Sequence, residues 1–274
     1  MVDKSEKFNW LVRVGYFSRA ILYTMIGIIA LTSAGKIAQG TNGVFRAIED
    51  FPAGNAILWL LVVGLTAYGL FRLASTFFDI ENHGSDAHGW GKRLGHAGSA
   101  IGHFALAYSA YKFATFEGPG QGSGGSGGDG GGAQQAASGV LSMDLGGIVL
   151  GLLGIAFFAA AFSQAKKGIT GSFMHRISGQ APDFTRIIGG IGFCARAVVF
   201  TVIGWSLFSA GFLSGGSQQV KTLGDAVASL SDTGFLFTIV AIGLLLFGIF
   251  SLILARYRII PDMSSNGKVP AFRA

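Results

Sequence analysis

One helix-length motif occurs twice in the chain: residues 15–27 read GYFSRAILYTMIG and residues 192–204 read GFCARAVVFTVIG. Glycine, arginine, alanine, an aromatic residue, threonine, isoleucine and glycine stand at the same offsets in both copies. A degenerate copy begins at Gly95, where Ser99 and His103 occupy the arginine and aromatic positions. Self-similarity of this kind indicates a repeat architecture.

A second motif follows the first at a matching distance. Residues 64–69 read GLTAYG and align with GLLLFG at 243–248, and more loosely with GIAFFA at 154–159. Each repeat therefore contains two predicted spans, so all repeats enter the membrane with the same polarity and are related by an axis along its normal. This predicts a pseudo-threefold bundle of three parallel two-helix repeats. The predicted repeats cover 10–78, 90–165 and 187–258 within a single membrane domain, 1–274.

The composition favours an all-α integral membrane protein of six transmembrane helices. Half of the 274 residues are hydrophobic, 12% are charged and the mean hydropathy is +0.54, whereas soluble domains carry about 25% charged residues. A helix needs about 20 apolar residues to cross a hydrocarbon core roughly 30 Å thick. The third predicted span contains His96, His103 and Lys112 and is included because the repeat pattern requires it. The six predicted spans are Val14–Ala34, Ala53–Phe78, Leu94–Thr115, Leu145–Gln164, Ile187–Leu213 and Gly234–Ala255.

The basic residues predict the orientation of these spans. Cytoplasmic segments of membrane proteins carry an excess of lysine and arginine. With both termini in the cytoplasm, thirteen basic residues lie inside and four outside, so we expect this orientation in a plasma membrane. The formal charge of +6 then reflects the bias and not nucleic-acid binding. The four expected outside are Lys36, Arg46, Lys112 and Lys221.

The paired motifs resemble a bacterial membrane-protein family called domain of unknown function 1206. The resemblance covers about Trp10 to Arg258, and it implies six spans in three such repeats. Ser99 and His103 depart from the pattern in the second repeat. The family name implies an architecture and no activity.

Glycines and loops complete the architectural predictions. Gly98–Gly102 and Gly147–Gly151 are pairs of small residues at a spacing that lets helix backbones approach. Residues 118–132 are glycine-rich and predict a flexible outer linker. That stretch contains a G-x-G-x-x-G pattern, but no strand precedes it, so a nucleotide site is not indicated. The other two outer loops should carry short helices, at Val44–Phe51 and Leu223–Leu230.

Four ionisable residues within the spans form a candidate intramembrane polar site: Arg19, Arg72, Arg196 and His103. The arginines could reach the interface along their aliphatic stems, or they could line a cytoplasm-facing basic cavity. We expect Arg19 and Arg196 to point into the bundle and to bond neighbouring carbonyls or an anion, with Arg72 close to Arg19. His103 is expected to form an interhelical hydrogen bond; a haem ligand is the less favoured interpretation.

The first cytoplasmic connection is also rich in potential ligands. Asp79, Glu81, His83, Asp86 and His88 lie there, but their spacing matches no recognised zinc motif. An adventitious metal site is the less favoured interpretation. We expect a solvated polar loop and predict no metal, no cofactor and no catalytic residues.

The function remains open between two main interpretations. The absence of a catalytic constellation favours a non-enzymatic scaffold or accessory subunit. The alternative is a small-solute or anion pore or carrier, since basic residues could face inward; a redox subunit would depend on His103 alone. Expected partners are membrane lipids and a membrane protein or a second copy of the chain, with no nucleic acid.

Overall fold

The computed structural model describes residues 4–33, 40–81, 83–115, 131–213 and 215–260. Regular structure in these ranges is helical apart from one isolated backbone bridge between Ile177 and Arg258. The helices are α1 (Lys4–Thr32), α2 (Gly40–Glu49), α3 (Gly54–Phe77), α4 (Ala87–Thr115), α5 (Gly131–Leu141), α6 (Gly146–Thr170), α7 (Thr185–Phe212), α8 (Leu223–Ala228) and α9 (Phe235–Tyr257), with 3-10 turns at Ser172–Arg176, Ser217–Gln219 and Ser231–Thr233.

Five helices in the described ranges are long and apolar enough to cross a membrane: α1 from Phe8 onward, α3, α6, α7 and α9. The prediction of an all-helical, multi-pass membrane protein is confirmed at this level. Helix α4 occupies the third predicted span and has 29 residues, but its histidines and lysine make it less apolar. Most of the predicted linker, residues 118–130, lies outside the described residues; residues 131 and 132 begin α5, a helix the sequence did not predict.

The long helices pack side by side in one curved series. Helix α6 packs against α7, α7 against α9, α9 against α1, α1 against α3, and α3 against α4. Within the described part of the chain, the two ends of this series, α4 and α6, form no contact of comparable extent. Side chains of α1, α3, α7 and α9 meet on one face of this series, which we call the inner face.

Matching glycines set the approach of two helix pairs. A Cβ atom placed on Gly15 of α1 would lie 2.8 Å from the Cα of Tyr68 on α3. A Cβ on Gly192 of α7 would lie 2.8 Å from the Cα of Phe247 on α9. These positions correspond to one another in the two motifs, so α1–α3 and α7–α9 pack through the same contact. Only glycine permits a backbone approach this close.

Two arginines link neighbouring helices at one end of the bundle, which we call the terminal end because α1 begins and α9 ends there. Arg13 of α1 donates through Nη1 to the carbonyl oxygen of Ala255 (2.8 Å) and to that of the next residue (2.5 Å) in α9. Arg93 of α4 donates through Nε to the carbonyl oxygen of Thr76 (2.7 Å) in α3. Both arginines satisfy carbonyls that a helix end leaves without intrahelical partners.

The far end of the bundle is covered by short helices, as the sequence predicts. Val44, Phe45 and Ile48 of α2 are buried, and the ring of Phe45 lies 5.6 Å from that of Phe113 on α4. Helix α2 also packs against α8. Helix α8 begins with a capping box in which Thr222 and its third helical residue satisfy each other's backbone N–H groups.

One glycine prediction is wrong. A Cβ atom on Gly98 or Gly102 would meet nothing within 4 Å, so this pair mediates no helix contact in the described part of the chain. The other pair does pack: Gly147 and Gly151 of α6 lie against Gly211 and Phe212 of α7. The difference arises because α4 ends the helix series, and its glycine face has no neighbouring helix.

Candidate functional site

Arg19 lies on the inner face of α1 and is buried, with 5% of its surface exposed. Its Nη1 donates to the hydroxyl of Tyr68 (2.6 Å) on α3, and its Nε and Nη2 donate to the hydroxyl of Ser251 on α9 (3.3 and 3.2 Å). The Ser251 hydroxyl donates in turn to the carbonyl oxygen of Phe247 (2.8 Å). Arg19 therefore bonds hydroxyl groups on two neighbouring helices, and not the carbonyls that the sequence suggested.

Arg72 lies one turn after Tyr68 on α3 and shares the same hydroxyl. Its Nε and Nη2 donate to the Tyr68 oxygen at 3.0 and 2.6 Å. One phenol oxygen thus accepts hydrogen bonds from two guanidinium groups, Arg19 and Arg72. The structure brings these two predicted residues together, as the pairing of α1 with α3 implies.

Arg196 of α7 is held by aromatic rings. Its Cζ lies 4.5 Å from the centre of the Phe247 ring, 4.9 Å from that of Phe200 and 5.4 Å from that of Tyr23. Its Nε is buried without a hydrogen-bond partner. Phe247 occupies the position in its motif that Tyr68 holds in the other, so Arg196 lacks the phenol oxygen that Arg19 uses.

These groups form an interior arginine cluster, which we define as Arg19, Tyr68, Arg72, Arg196 and Phe247. Cζ of Arg19 also lies 4.8 Å from the centre of the Phe247 ring. The two guanidinium groups that flank this ring lie within about 9 Å of each other, close enough to repel in a low-dielectric interior. Within the described residues, neither Arg19 nor Arg196 forms an ion pair.

His103 differs from its prediction. Its Nδ1 lies 2.7 Å from the carbonyl oxygen of Ser99, four residues earlier on the same helix, so the hydrogen bond is intrahelical. The ring does reach the neighbouring helix, since its centre lies 4.4 Å from that of the Tyr68 ring. Because α3 presents the ring of Tyr68 beside it, the imidazole of His103 bonds the backbone carbonyl one turn earlier on its own helix, α4.

Glu81, expected from the sequence only as one polar residue of a solvated loop, is buried and contacts several basic side chains. Asp79 adopts a left-handed backbone conformation (φ 44°) directly after α3, which Asp tolerates better than most residues. Its carboxylate accepts from the backbone N–H groups of His83 and Gly84, both at 2.8 Å. This turn directs Glu81 back between the helix ends, where it is 5% exposed.

Three guanidinium groups surround the Glu81 carboxylate. Nη2 of Arg258 lies 2.7 Å from Oε1, Nη1 of Arg72 lies 3.5 Å from Oε1, and Arg176 contacts Oε2. Two backbone hydrogen bonds place Arg176 beside Arg258: Ser178 N–H donates to the carbonyl of Tyr257 (2.9 Å), and Ile259 N–H donates to that of Arg176 (3.0 Å). The connection after α6 is thereby fixed to the end of α9.

Two histidines complete this group, which we call the Glu81 cluster: Arg72, Glu81, His83, His96, Arg176 and Arg258. Nε2 of His83 and Nε2 of His96 lie 3.4 and 3.5 Å from Oε2 of Glu81, and 3.1 Å from each other. Burial of the ring and the charge of Lys92 lower the pKa of His83. Its imidazole is therefore neutral at physiological pH.

The prediction of a solvated loop between α3 and α4 is therefore only partly correct. Asp86 and His88 are exposed, whereas Glu81 is buried and His83 is half-buried. Periodicity cannot detect such a carboxylate because it lies in a connection and not in a span. The sequence does contain one indication of this turn, because Asp79 stands at the end of a predicted helix.

Two shallow apolar pockets lie beside α7, away from the interior arginine cluster. One has a volume of about 480 Å³ between α6, α7 and α9, and the other, about 430 Å³, lies between α6 and α7. Cys194 and Val198 line both. Their lining is mostly apolar, which suits contact with lipid chains and separates them from the interior arginine cluster.

Comparison with known proteins supports the resemblance. The sequence profile of a family described as Domain of Unknown Function (DUF1206) matches residues 14–79 and 191–258. An uncharacterized protein, YxxB, of Bacillus subtilis (strain 168) is 28% identical over 268 residues, which cover 93% of this chain and 94% of the relative. No solved structure matches the chain significantly. The two matched regions coincide with the α1–α3 and α7–α9 pairs, so these two helix pairs carry the chain's similarity to the family described as Domain of Unknown Function (DUF1206).

Proposed function

We propose that the chain is a six-span protein of the bacterial plasma membrane, with both termini in the cytoplasm and three helix pairs in pseudo-threefold order. The shared Gly15–Tyr68 and Gly192–Phe247 contacts support equivalence of the first and third pairs. Arg13 and Arg93 each donate to backbone carbonyl oxygens at the end of the preceding helix pair. This shared role supports equivalence of the first and second pairs. In this arrangement α4 is the third span, and the terminal end is the cytoplasmic end.

We propose that the function of this bundle is to bind an oxyanion, a phosphate or carboxylate group, at the interior arginine cluster. The observation that carries the proposal is the position of Arg19, which is buried, and Arg196, whose Nε is buried, beside one ring without an ion pair in the described residues. Taking a charge out of water costs several kcal/mol unless a counter-charge compensates it. An anion between the two guanidinium groups supplies that counter-charge, and the fork geometry of arginine suits a planar or tetrahedral oxyanion.

The shape of the bundle supports access from one side. Helices α2 and α8 cover the far end, whereas Arg72, Arg196 and His103 retain partly exposed surface. Because α4 and α6 form no extensive contact in the described part of the chain, we infer entry between these two helices or from the terminal end. A carrier or a stable anion-binding module both fit this geometry, and we expect no bond-making chemistry at the cluster.

Thermal unfolding with and without anions tests the proposal. We expect phosphate or anionic lipid to raise the melting temperature of the purified full-length chain, and the double variant Arg19→Leu, Arg196→Leu to abolish the rise. The matched control is Arg186→Leu with Arg256→Leu, which removes two charges from exposed positions and should retain the rise. An identical response from both double variants would show that the arginines pack structurally and bind no anion.

Two sources could provide the oxyanion, and the same assay separates them. A free anion should act in neutral detergent without lipid, in proportion to its concentration. A phospholipid head group should act only when anionic lipid is present, and it should remain on the protein in native mass spectrometry. Loss of this retained mass in the Arg19→Leu, Arg196→Leu variant would assign the lipid to the interior.

A second candidate function is the scaffold or accessory subunit, and the open face of α4 favours it. Positions 91, 95, 98 and 102 are glycines with no atom within 4 Å of an added Cβ, and Ile101 and Tyr108 beside them are exposed. Such a face can accept another helix closely. Mild purification from native membranes tests this: repeated isolation of the chain without a stoichiometric partner would contradict it.

A further inference from the structure

We propose that Glu81, His83 and His96 form a binding site for one divalent transition-metal ion, with zinc as the probe of choice. The inference is independent of the proposed oxyanion site, because it concerns different atoms at the terminal end of the bundle. In the described part of the chain these three residues are a group whose potential ligand atoms converge on one point.

The geometry of the three ligand atoms carries the proposal. Nε2 of His83, Nε2 of His96 and Oε2 of Glu81 form a triangle with sides of 3.1, 3.4 and 3.5 Å. A tetrahedral zinc ion with bonds of about 2.0 to 2.1 Å separates its ligand atoms by about 3.3 Å. The triangle therefore has the size of one face of a zinc coordination tetrahedron without any backbone movement.

The chemistry of the ligands agrees with this geometry. Two imidazoles and one carboxylate suit zinc, and a set with three protein ligands leaves a fourth position open. The Nε2 atoms of the two imidazoles face each other at 3.1 Å, a distance at which either the N–H of one ring donates to the other or one cation bridges both. Arg258, 2.7 Å from the second carboxylate oxygen, orients Glu81 as outer-sphere groups commonly orient metal-bound carboxylates.

The neighbouring guanidinium groups restrict the site in three ways. Arg176 contacts Oε2, the proposed ligand oxygen of Glu81, so a metal ion must displace Arg176 from that oxygen. The positive charge of the guanidinium groups opposes a cation, so the fourth ligand should be an anion such as hydroxide. Nη1 of Arg72 also lies 2.9 Å from Nδ1 of His96. A metal on Nε2 requires a proton on Nδ1, which cannot face an arginine donor, so metal binding must displace Arg72 from His96. Removing this guanidinium should therefore strengthen metal binding.

Zinc titration of the purified, chelator-treated full-length chain tests the proposal. We expect one zinc ion per chain, and cobalt should give the visible absorption of a four-coordinate ion. His83→Ala or Glu81→Gln removes a ligand and should weaken zinc binding by at least about 100-fold. Loss of a group that only orients a ligand can already weaken metal binding by roughly 100-fold. His88→Ala removes an exposed histidine of the same connection and should leave zinc binding unchanged.

Further variants keep the test decisive if one substitution disturbs folding. Arg72→Leu should increase zinc affinity, whereas Arg19→Leu with Arg196→Leu should leave it unchanged; this separates the metal site from the oxyanion site. Wild-type protein that takes up no stoichiometric zinc would overturn the proposal. Undiminished zinc binding in folded His83→Ala and His96→Ala would overturn it equally, since the ion would then be bound elsewhere.

Discussion

At the scale of the residue, one hydroxyl group distinguishes the two best-preserved helix pairs. Tyr68 and Phe247 occupy equivalent positions, each behind a close-packed glycine. The Tyr68 oxygen accepts from Arg19 and Arg72, whereas Phe247 offers only its ring face to Arg196. The two arginines of the repeated motif therefore have different partners although their backbones are placed alike.

We predict that Tyr68→Phe lowers the free energy of unfolding by about 2–3 kcal/mol, because hydrogen bonds to charged groups contribute about 1.5–3 kcal/mol and their buried donors would lose their acceptor. Tyr23→Phe is the control, since Arg196 contacts only the ring of Tyr23 and should be unaffected. Equal stability of the two variants in chemical denaturation would contradict the role assigned to the Tyr68 hydroxyl.

The sequence identifies part of this site and misses the rest for physical reasons. Arg19 and Arg196 were recognisable because a motif fixes their offset, and Arg72 because an ionisable residue in a span is unusual. The sequence motif marked Tyr68 only as an aromatic position, because a periodic pattern does not show which groups form hydrogen bonds with its hydroxyl. Glu81 could not be placed, because its burial depends on the left-handed turn at Asp79.

At the scale of the element, glycine decides which helices can approach. Gly192 of α7 faces the backbone of α9, and an added Cβ would lie 2.8 Å from the Cα of Phe247. Gly98 of α4 has the same residue type and a similar helical setting, but no neighbouring atom within 4 Å. Sequence spacing alone could not separate these two glycines, because it does not show which helix ends the series.

We predict that Gly192→Ala destabilises the protein by about 1–3 kcal/mol, the usual cost of overpacking a well-packed contact. The matched substitution Gly98→Ala should change stability by less than about 0.5 kcal/mol, as is usual away from packed features. Thermal unfolding of both variants in one detergent checks this. A Gly98→Ala variant that is the less stable of the two would show that α4 packs against a partner helix.

The helix ends provide another prediction at this scale. Arg93 donates to two carbonyl oxygens in the last turn of α3, at 2.7 and 3.0 Å. Arg93→Met should therefore cost about 1–2 kcal/mol of stability, in the range of a lost helix cap. Lys92→Met removes an exposed charge next to it and should be close to neutral in the same unfolding assay.

At the scale of the whole molecule, the order of the helices was predictable to a large extent. Hydropathy located α1, α3, α6, α7 and α9, and the repeat pattern located α4, to within a few residues except at the N-terminal start of α1 and α4 and at the end of α6. The motif spacing indicated which helices are equivalent. The lack of an extensive contact between α4 and α6 in the described residues was not predictable, because sequence spacing does not show which helices end the series.

We predict that the terminal end faces the cytoplasm. In a Cys194→Ser background, a cysteine at Ser142, exposed between α5 and α6, should react with a membrane-impermeant thiol reagent in intact cells. A cysteine at Ser85, exposed between α3 and α4, should react only after permeabilisation. The reverse labelling pattern would show that the orientation is inverted. Equal labelling of both cysteines in intact cells would place them on the same side of the membrane, which contradicts a bundle with an even number of membrane-spanning helices.

In the proposed function, Arg19, which is buried, and Arg196, whose Nε is buried, compensate the charge of a bound oxyanion. An experimental density map of the full-length protein in lipid and phosphate buffer tests it most directly. We predict non-protein density, tetrahedral or shaped as a lipid head group, within hydrogen-bonding distance of at least two of Arg19, Arg72 and Arg196. A well-resolved map in which these guanidinium groups contact only protein atoms, with no density between them, would contradict the claim.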